Sequence, residues 1–232
     1  MDEAAFLDSY DPAAFARPSI AVDLILTSVV DGAPAVLLHR RGEPPFAGAW
    51  ALPGGFVGIG ESLDAAARRV LGEKARMDAA YLEQLYTFGA VDRDPRMRIV
   101  SVAYSALLPA DRFATAPGLT LARVTAHEGE PVSSMVEGVP VPLAFDHAAM
   151  LDLAIRRLRG KLDWSAVAFA LLPERFTLRA LQDVYEAILG RPLNKPAFRR
   201  RLIDSGRIAA TGERETGASF RPAELYRYIG ER

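Results

Sequence analysis

Two short stretches of this chain carry side chains whose types and spacing could do chemistry. In the first, residues 54–77, GGFVGIGESLDAAARRVLGEKARM, a helix beginning after Ser62 would present Val70, Glu73 and Lys74 on one face, because positions i, i+3 and i+4 of a helix are neighbours. One carboxylate beside an ammonium is a poor cage for a divalent ion, which needs several hard oxygen ligands. The same residues suit an anion better. Lys74 and Arg69, with Arg40 and Arg41 upstream, can pair with phosphates, and Gly54 and Gly55 permit close backbone approach. Trp50 or Phe46 can stack on a base or a ribose. Structural readings stand beside these: Arg69 paired with Glu61 or Glu73, Trp50 in the core, and Arg40 and Arg41 as a solvated strand end.

The second stretch is NKPAFRRRLIDSG, from Asn194. Asn194 can cap a helix and Pro196 is tolerated in its first turn. Lys195 and Arg199 lie at i and i+4 with Arg200 beside them, while Phe198, Leu202 and Ile203 are expected to face inward. A basic face opposite an apolar one suits a helix laid in a DNA groove, where arginines read guanine edges or clamp phosphate. Arg207 and Arg214 stand at the start and tip of a hairpin expected from RIAATG and ASFRPAELYRYI, within reach of the flanking backbone. The plain alternative is a solvated basic face.

These stretches need a scaffold, and the rest of the chain supplies one. It has 232 residues, half of them hydrophobic and a quarter charged, as expected of a globular protein with a sizeable core. There are no cysteines, which excludes disulfides, thiolate metal sites and cysteine nucleophiles. No apolar run is long enough to cross a bilayer and the acidic N-terminal stretch lacks a signal pattern, so a cytoplasmic protein with no membrane partner is expected. The net charge of −1 is uneven. From Phe176 onward eleven basic and seven acidic residues give +4, while the remainder, with 17 and 22, gives −5. That asymmetry hints at a polyanionic partner for the C-terminal part.

In chain order, an N-terminal arm expected to pack by its aromatics precedes two strands, IAVDLILTSVV and AVLLHR, joined by Asp31-Gly32. A Pro- and Gly-rich loop leads to a short strand at Trp50. After the helix, which should run to about Lys74, strands are expected in LEQLYTFGAV and RIVSVAYSALL, then a helix in AFDHAAMLDLAIRRLRGKL. His39, His127 and His147 show no metal-ligand spacing, Glu128 and Glu130 could supply a loop carboxylate, and Asp92 and Asp94 read as turn residues. The expected domains are residues 1–160, an apolar connector over 161–175 that docks the two parts, and 176–232 with the order helix, turn, helix, hairpin.

Residues 54–77 resemble the Nudix box, G-x5-E-x7-R-E-U-x-E-E-x-G-U with U aliphatic. With the first glycine at Gly55, Glu61, Arg69, Leu71, Glu73 and Met77 match, while Val70, Lys74 and Arg76 depart. The resemblance implies an α/β/α sandwich with a mixed sheet. In that family the glutamates hold Mg²⁺ or Mn²⁺ against a pyrophosphate and activate water, a function that the departures put in doubt. Together with the run FTLRALQDVYEAILGRPLNKPAFRRRLIDSGRI, the whole chain resembles the Nudix-related transcriptional regulators of NAD metabolism. That implies a homodimeric repressor with a winged helix-turn-helix, which binds double-stranded DNA and senses ADP-ribose or a related nucleotide, with no cofactor required. The alternative is an active Nudix hydrolase of ADP-ribose or another nucleoside diphosphate derivative, using Mg²⁺.

Overall fold

The computed structural model describes residues 2–79, 81–113, 116–125, 130–215 and 222–230. Its central feature is a nine-stranded mixed sheet. In chain order the elements are α1 (Glu3–Ser9), β1 (Ser19–Val30), β2 (Ala33–Arg40), β3 (Trp50–Ala51), β4 (Gly54–Phe56), α2 (Leu63–Ala75), β5 (Tyr81–Phe88), β6 (Ile99–Leu107), α3 (Ala110–Phe113), β7 (Thr120–Thr125), β8 (Ser133–Val136), β9 (Val139–Pro140) and α4 (His147–Lys161). The strand order is β5-β6-β1-β2-β7-β8-β9, with β3 paired to β2 and β4 to β1. Only β1 and β6 run parallel among the described pairs, in an unbroken register from Ser19 opposite Ile99 to Thr27 opposite Leu107.

β1 is buried on both faces because alternate residues serve different cores. Val22, Leu24 and Leu26 pack with Ala66, Ala67, Val70 and Leu71 of α2. Ile25, with Val36, Leu38 and Ala103, packs against Met150, Leu151, Ala154 and Ile155 of α4. The result is the expected α/β/α sandwich. Ser62 caps α2 by accepting the Ala65 amide at 3.2 Å. At the other end Arg76 adopts φ 52°, a left-handed cap for which glycine is the unstrained residue. The departure from the box at Arg76 is therefore a backbone cost.

After α4 come α5 (Val167–Ala170), α6 (Leu178–Leu189), α7 (Lys195–Asp204), β10 (Ile208–Arg214) and β11 (Glu224–Tyr228). Thr177 caps α6 and Asn194 caps α7, through the amides of Ala180 and Ala197. Gly190 ends α6 at φ 70°. β10 and β11 pair antiparallel, and Phe176 adds a bridge to Tyr226. This is a winged helix-turn-helix. It is not tethered loosely: one core holds Leu107 and Leu158 of the sandwich, Leu162, Val167 and Phe169 of the connector, and Leu181, Tyr185, Ile188, Phe198 and Leu202 beyond it.

Two expectations fail. Ile203 does not face inward; it is 55% exposed, because Phe198 and Leu202 already fill the α7 contact with α6. The N-terminal arm does not pack on the body by its aromatics. Phe6, Tyr10 and Phe15 stack on one another and stay about half exposed or more. The structure adds strands β7 to β9 to those expected, and burial alternates along β7.

Candidate nucleotide cleft and basic helix

The arginine of the box helix is taken up by its own neighbours. Arg69 donates to Glu61 at 2.6 and 3.0 Å, to Glu73 at 3.3 Å and to the Phe56 carbonyl at 2.9 Å. Glu61 also accepts the Gly58 amide at 2.7 Å. The Arg69 hydrogen bond, and then that amide, hold the Glu61 carboxyl down at about 2. Val70 is 1% exposed, and a Cβ added at Gly55 would lie 3.0 Å from its Cγ2. Among the described residues no group of three or more His, Asp or Glu side chains could hold a metal ion. The donor set does not fit Mg²⁺: one of the three positions is a buried hydrocarbon, one is an ammonium, and Glu73 is paired with Arg69. No step through a metal follows from these residues.

A cleft of about 250 Å³ opens elsewhere, on the side of the sheet nearer α4. It is lined by Ala21, Asp23, His39, Arg41, Leu52, Gly54, Gly55, Phe56, Arg93, Asp94, Arg96, Ile99, Phe145 and His147. Of the anticipated ligand residues Arg41, Gly54 and Gly55 line it, while Arg40, Trp50, Arg69, Glu73 and Lys74 do not. Arg40 donates to the Gly48 carbonyl, and Trp50 packs at the margin of the α4-side core. Lys74 is exposed; burial, and then the nearby charge of Lys74, lower the pKa of the His39 imidazole.

The floor of the cleft is a buried polar cluster. Arg93, whose side chain is 4% exposed, forks onto Asp146 at 2.7 and 2.9 Å and lies 3.7 Å from Asp23. Burial opposes the Arg93 charge, but the hydrogen bonds and charge of Asp146, with Asp23, outweigh it and raise its pKa. Asp23 accepts the Ser101 hydroxyl at 2.5 Å. His147 accepts the Leu52 amide on Nδ1 at 3.0 Å, so its proton sits on Nε2, 3.7 Å from Asp23. Burial lowers the pKa of His147 and keeps it neutral. Gly54 is required here, since a Cβ would meet Asp23 Oδ1 at 2.1 Å and the Val22 carbonyl at 2.8 Å.

The rim is aromatic and cationic. Phe145, at φ 53°, meets Phe46 edge-on at 4.8 Å, and the guanidiniums of Arg41 and Arg96 lie 4.8 and 6.0 Å from its ring centre. Asp94 pairs with Arg96 at 2.8 Å, which holds its carboxyl below the usual range. Two histidines read as structural and an aspartate read as a turn residue thus face one cleft; His127 and Glu128 lie outside the described residues. Guanidiniums beside aromatic faces above a carboxylate suit a phosphate-bearing nucleoside. Periodicity carried no signal for Asp23, Arg93, Arg96 or Phe145, which come from three separate parts of the chain; the density of charge at residues 92–96 marked only Arg93 and Arg96.

On α7, Lys195 and Arg200 are exposed, and Arg200 is 3.5 Å from Asp204. Arg199 is half-buried beside Tyr226 of β11, and its Nε is buried without a hydrogen-bond partner. Arg207 donates to the Ser165 carbonyl and lies over the rings of Phe169 and Tyr228 at 5.5 and 5.7 Å, so it clamps the hairpin to the connector. Arg214 is exposed and donates to the Pro222 carbonyl. Among the described residues no helix is long and apolar enough to cross a membrane.

Family models match two parts of the chain: the NUDIX domain over residues 18–128 and the NrtR DNA-binding winged helix domain over residues 168–228. The ADPR responsive transcriptional repressor NtrR of Acinetobacter baylyi is 38% identical over 97% of this chain and 88% of its own. Shewanella oneidensis NrtR, solved in complex with a 27mer DNA, superposes with a TM-score of 0.75 at 34% identity, covering 90% of this chain and 93% of that one. The NUDIX domain of the same protein, solved with ADP ribose, covers 68% of this chain and 99% of its own with a TM-score of 0.53 at 36% identity. With this identity to the repressor over nearly its whole length, and with the NUDIX and NrtR winged-helix domains in that order, the chain belongs to the NrtR family.

Proposed function

We propose that the protein is a ligand-responsive transcriptional repressor that binds operator DNA through its winged helix and senses ADP-ribose or a related nucleotide in the Nudix-domain cleft. The observation that carries this reading is the physical union of two sites: an arginine- and aromatic-rimmed cleft and a basic helix joined through one hydrophobic core. The ADPR responsiveness of the Acinetobacter baylyi repressor and the complexes of Shewanella oneidensis NrtR with a 27mer DNA and of its NUDIX domain with ADP ribose support both ligands. Phosphates fit Arg41 and Arg96 at the rim and Arg93 on the floor, an adenine or ribose face fits Phe145, and ribose hydroxyls fit Asp23 and His147. Lys195, Arg199 and Arg200 meet the duplex, with Arg214 on the flanking backbone. The protein acts as a cytoplasmic homodimer at genes of NAD metabolism. Its two winged helices lie on successive major-groove faces, with half-sites about 34–36 Å apart.

The test is a mobility-shift titration with duplex from upstream of the protein's own gene. Binding should weaken steeply with salt, as contacts to phosphate do. ADP-ribose should change the affinity, and Arg199→Ala with Arg200→Ala should abolish it. A parallel assay with excess magnesium addresses the hydrolase alternative: enzyme-like turnover of ADP-ribose without any duplex binding would replace this reading.

A further inference from the structure

The cleft and the winged helix are joined by one rod. α4 begins at the cleft, where Asp146 is its N-cap residue and His147 its first residue. Its fifteen residues span about 22 Å. At its far end Arg159 donates to the Ile188 carbonyl in the last turn of α6 at 2.8 Å. The buried Tyr185 hydroxyl of α6 donates to the Leu162 carbonyl, one residue past α4, also at 2.8 Å. Asp163 pairs with Arg201 of α7 at 3.3 Å. Between the ends Met150, Leu151, Ala154 and Ile155 lie in the sandwich core, while Leu158 and Leu162 lie in the core shared with α6 and α7.

The near end has the means to feel a ligand. Arg93 lines the cleft, yet its fork is occupied by Asp146. A phosphate entering the cleft competes with Asp146 for that guanidinium, so the free and liganded states differ in which anion Arg93 holds. Such a difference is what a ligand requires to shift an equilibrium, because one that interacts equally with both states shifts nothing. A packed rod has few ways to absorb a change at one end other than by moving as a body.

We propose that α4 is the strut that transmits cleft occupancy to the winged helix, with the Arg93–Asp146 pair as its ligand-sensing end and the bonds from Arg159 and Tyr185 as its output end. This rests on the reading of the cleft as the ADP-ribose site. Arg159 and Tyr185 are positioning residues, since they lie at the end of α4 remote from the cleft and neither belongs to the basic face of α7.

The experiment uses the full-length protein, ADP-ribose as the probe and the upstream duplex. The ADP-ribose affinity of the DNA-free protein is measured by calorimetry, and duplex affinity by anisotropy with and without ADP-ribose. In the wild type the effector should change duplex affinity by about 5–150-fold, the usual span of coupling between sites. In Arg159→Gln and in Tyr185→Phe, ADP-ribose affinity and effector-free duplex affinity should each stay within about threefold of wild type while the coupling factor falls toward one. Asp146→Asn, which keeps the size of a side chain that makes no cap hydrogen bond, should uncouple the sites from the other end. Hydrogen exchange gives a second readout: ADP-ribose should alter protection in the last turns of α4 and α6 of the wild type, and not in Arg159→Gln. Full coupling retained in both output-end variants would overturn the strut while leaving the functional reading intact. A wild type that binds ADP-ribose with no change in duplex affinity, or does not bind it, would overturn both.

Discussion

The box helix α2 and the winged-helix element α7 both carry arginines on amphipathic faces, and they use them in opposite ways. On α2, Arg69 is consumed by Glu61, Glu73 and a backbone carbonyl, so its charge holds a loop onto a helix. On α7, Lys195 and Arg200 extend into solvent, Arg200 within 3.5 Å of Asp204 on the same helix. The difference lies in the neighbours. α2 follows a glycine-rich turn that delivers Glu61 and Phe56 O to Arg69, whereas α7 is capped by Asn194, packs through Phe198 and Leu202 and ties Arg201 to Asp163, which leaves Lys195 and Arg200 on its outer side.

The contrast can be broken in order of expected effect. Replacing Arg199 and Arg200 together with alanine should weaken duplex binding by at least about 100-fold and flatten the salt dependence by about two units of slope, with little change in thermal midpoint. A large stability loss instead would mean that the half-buried Arg199 is an internal residue like Arg69. Val70→Glu with Lys74→Glu should place an uncompensated carboxylate at a buried site. That costs about 3–5 kcal/mol and lowers the melting midpoint by roughly 10 °C. Millimolar magnesium should restore part of the loss, and a variant indifferent to magnesium would refute the explanation given for the altered box.

Gly54→Ala pushes a methyl group into Asp23 and should reduce ADP-ribose affinity more than tenfold in calorimetry, with duplex binding kept. Arg76→Gly relieves a left-handed non-glycine residue and should stabilise by about 1 kcal/mol, read as a midpoint about 2–4 °C higher. The smallest effect concerns acid. The folded pKa of Glu61 lies near 2, below its ordinary 4.5, so its stabilisation is complete above about 4.5 and vanishes as pH falls through about 2. Glu61→Gln should therefore flatten the stability profile across that window and leave its slope at neutral pH unchanged.

Local signals were readable where they rest on spacing within one segment. Ser62 and Asn194 cap the helices whose starts they marked. Phe198 and Leu202 bury as their helical period implied, but Ile203 does not, because amphipathic period fixes a direction and the neighbouring helix fixes how wide the buried stripe becomes. The aromatic arm shows the same limit: composition suggested packing, and no surface of the described body receives it.

What the sequence determined by itself was therefore periodic and local: two strands with a turn, a capped box helix that had lost its carboxylate face, and a basic helix in a winged-helix order. What only the tertiary structure decided was the cleft. Asp23 comes from β1, His39 from β2, Arg93 and Arg96 from the connection between β5 and β6, and Phe145 and His147 from the entry to α4. They meet because β1 lies between β6 and β2 in the sheet and α4 packs across it. No spacing along the chain encodes that meeting, since strand order sets it. For the same reason Arg207 could be recognised as basic from sequence, but only the fold turned it back onto Ser165 and the rings of Phe169 and Tyr228 rather than outward beside α7.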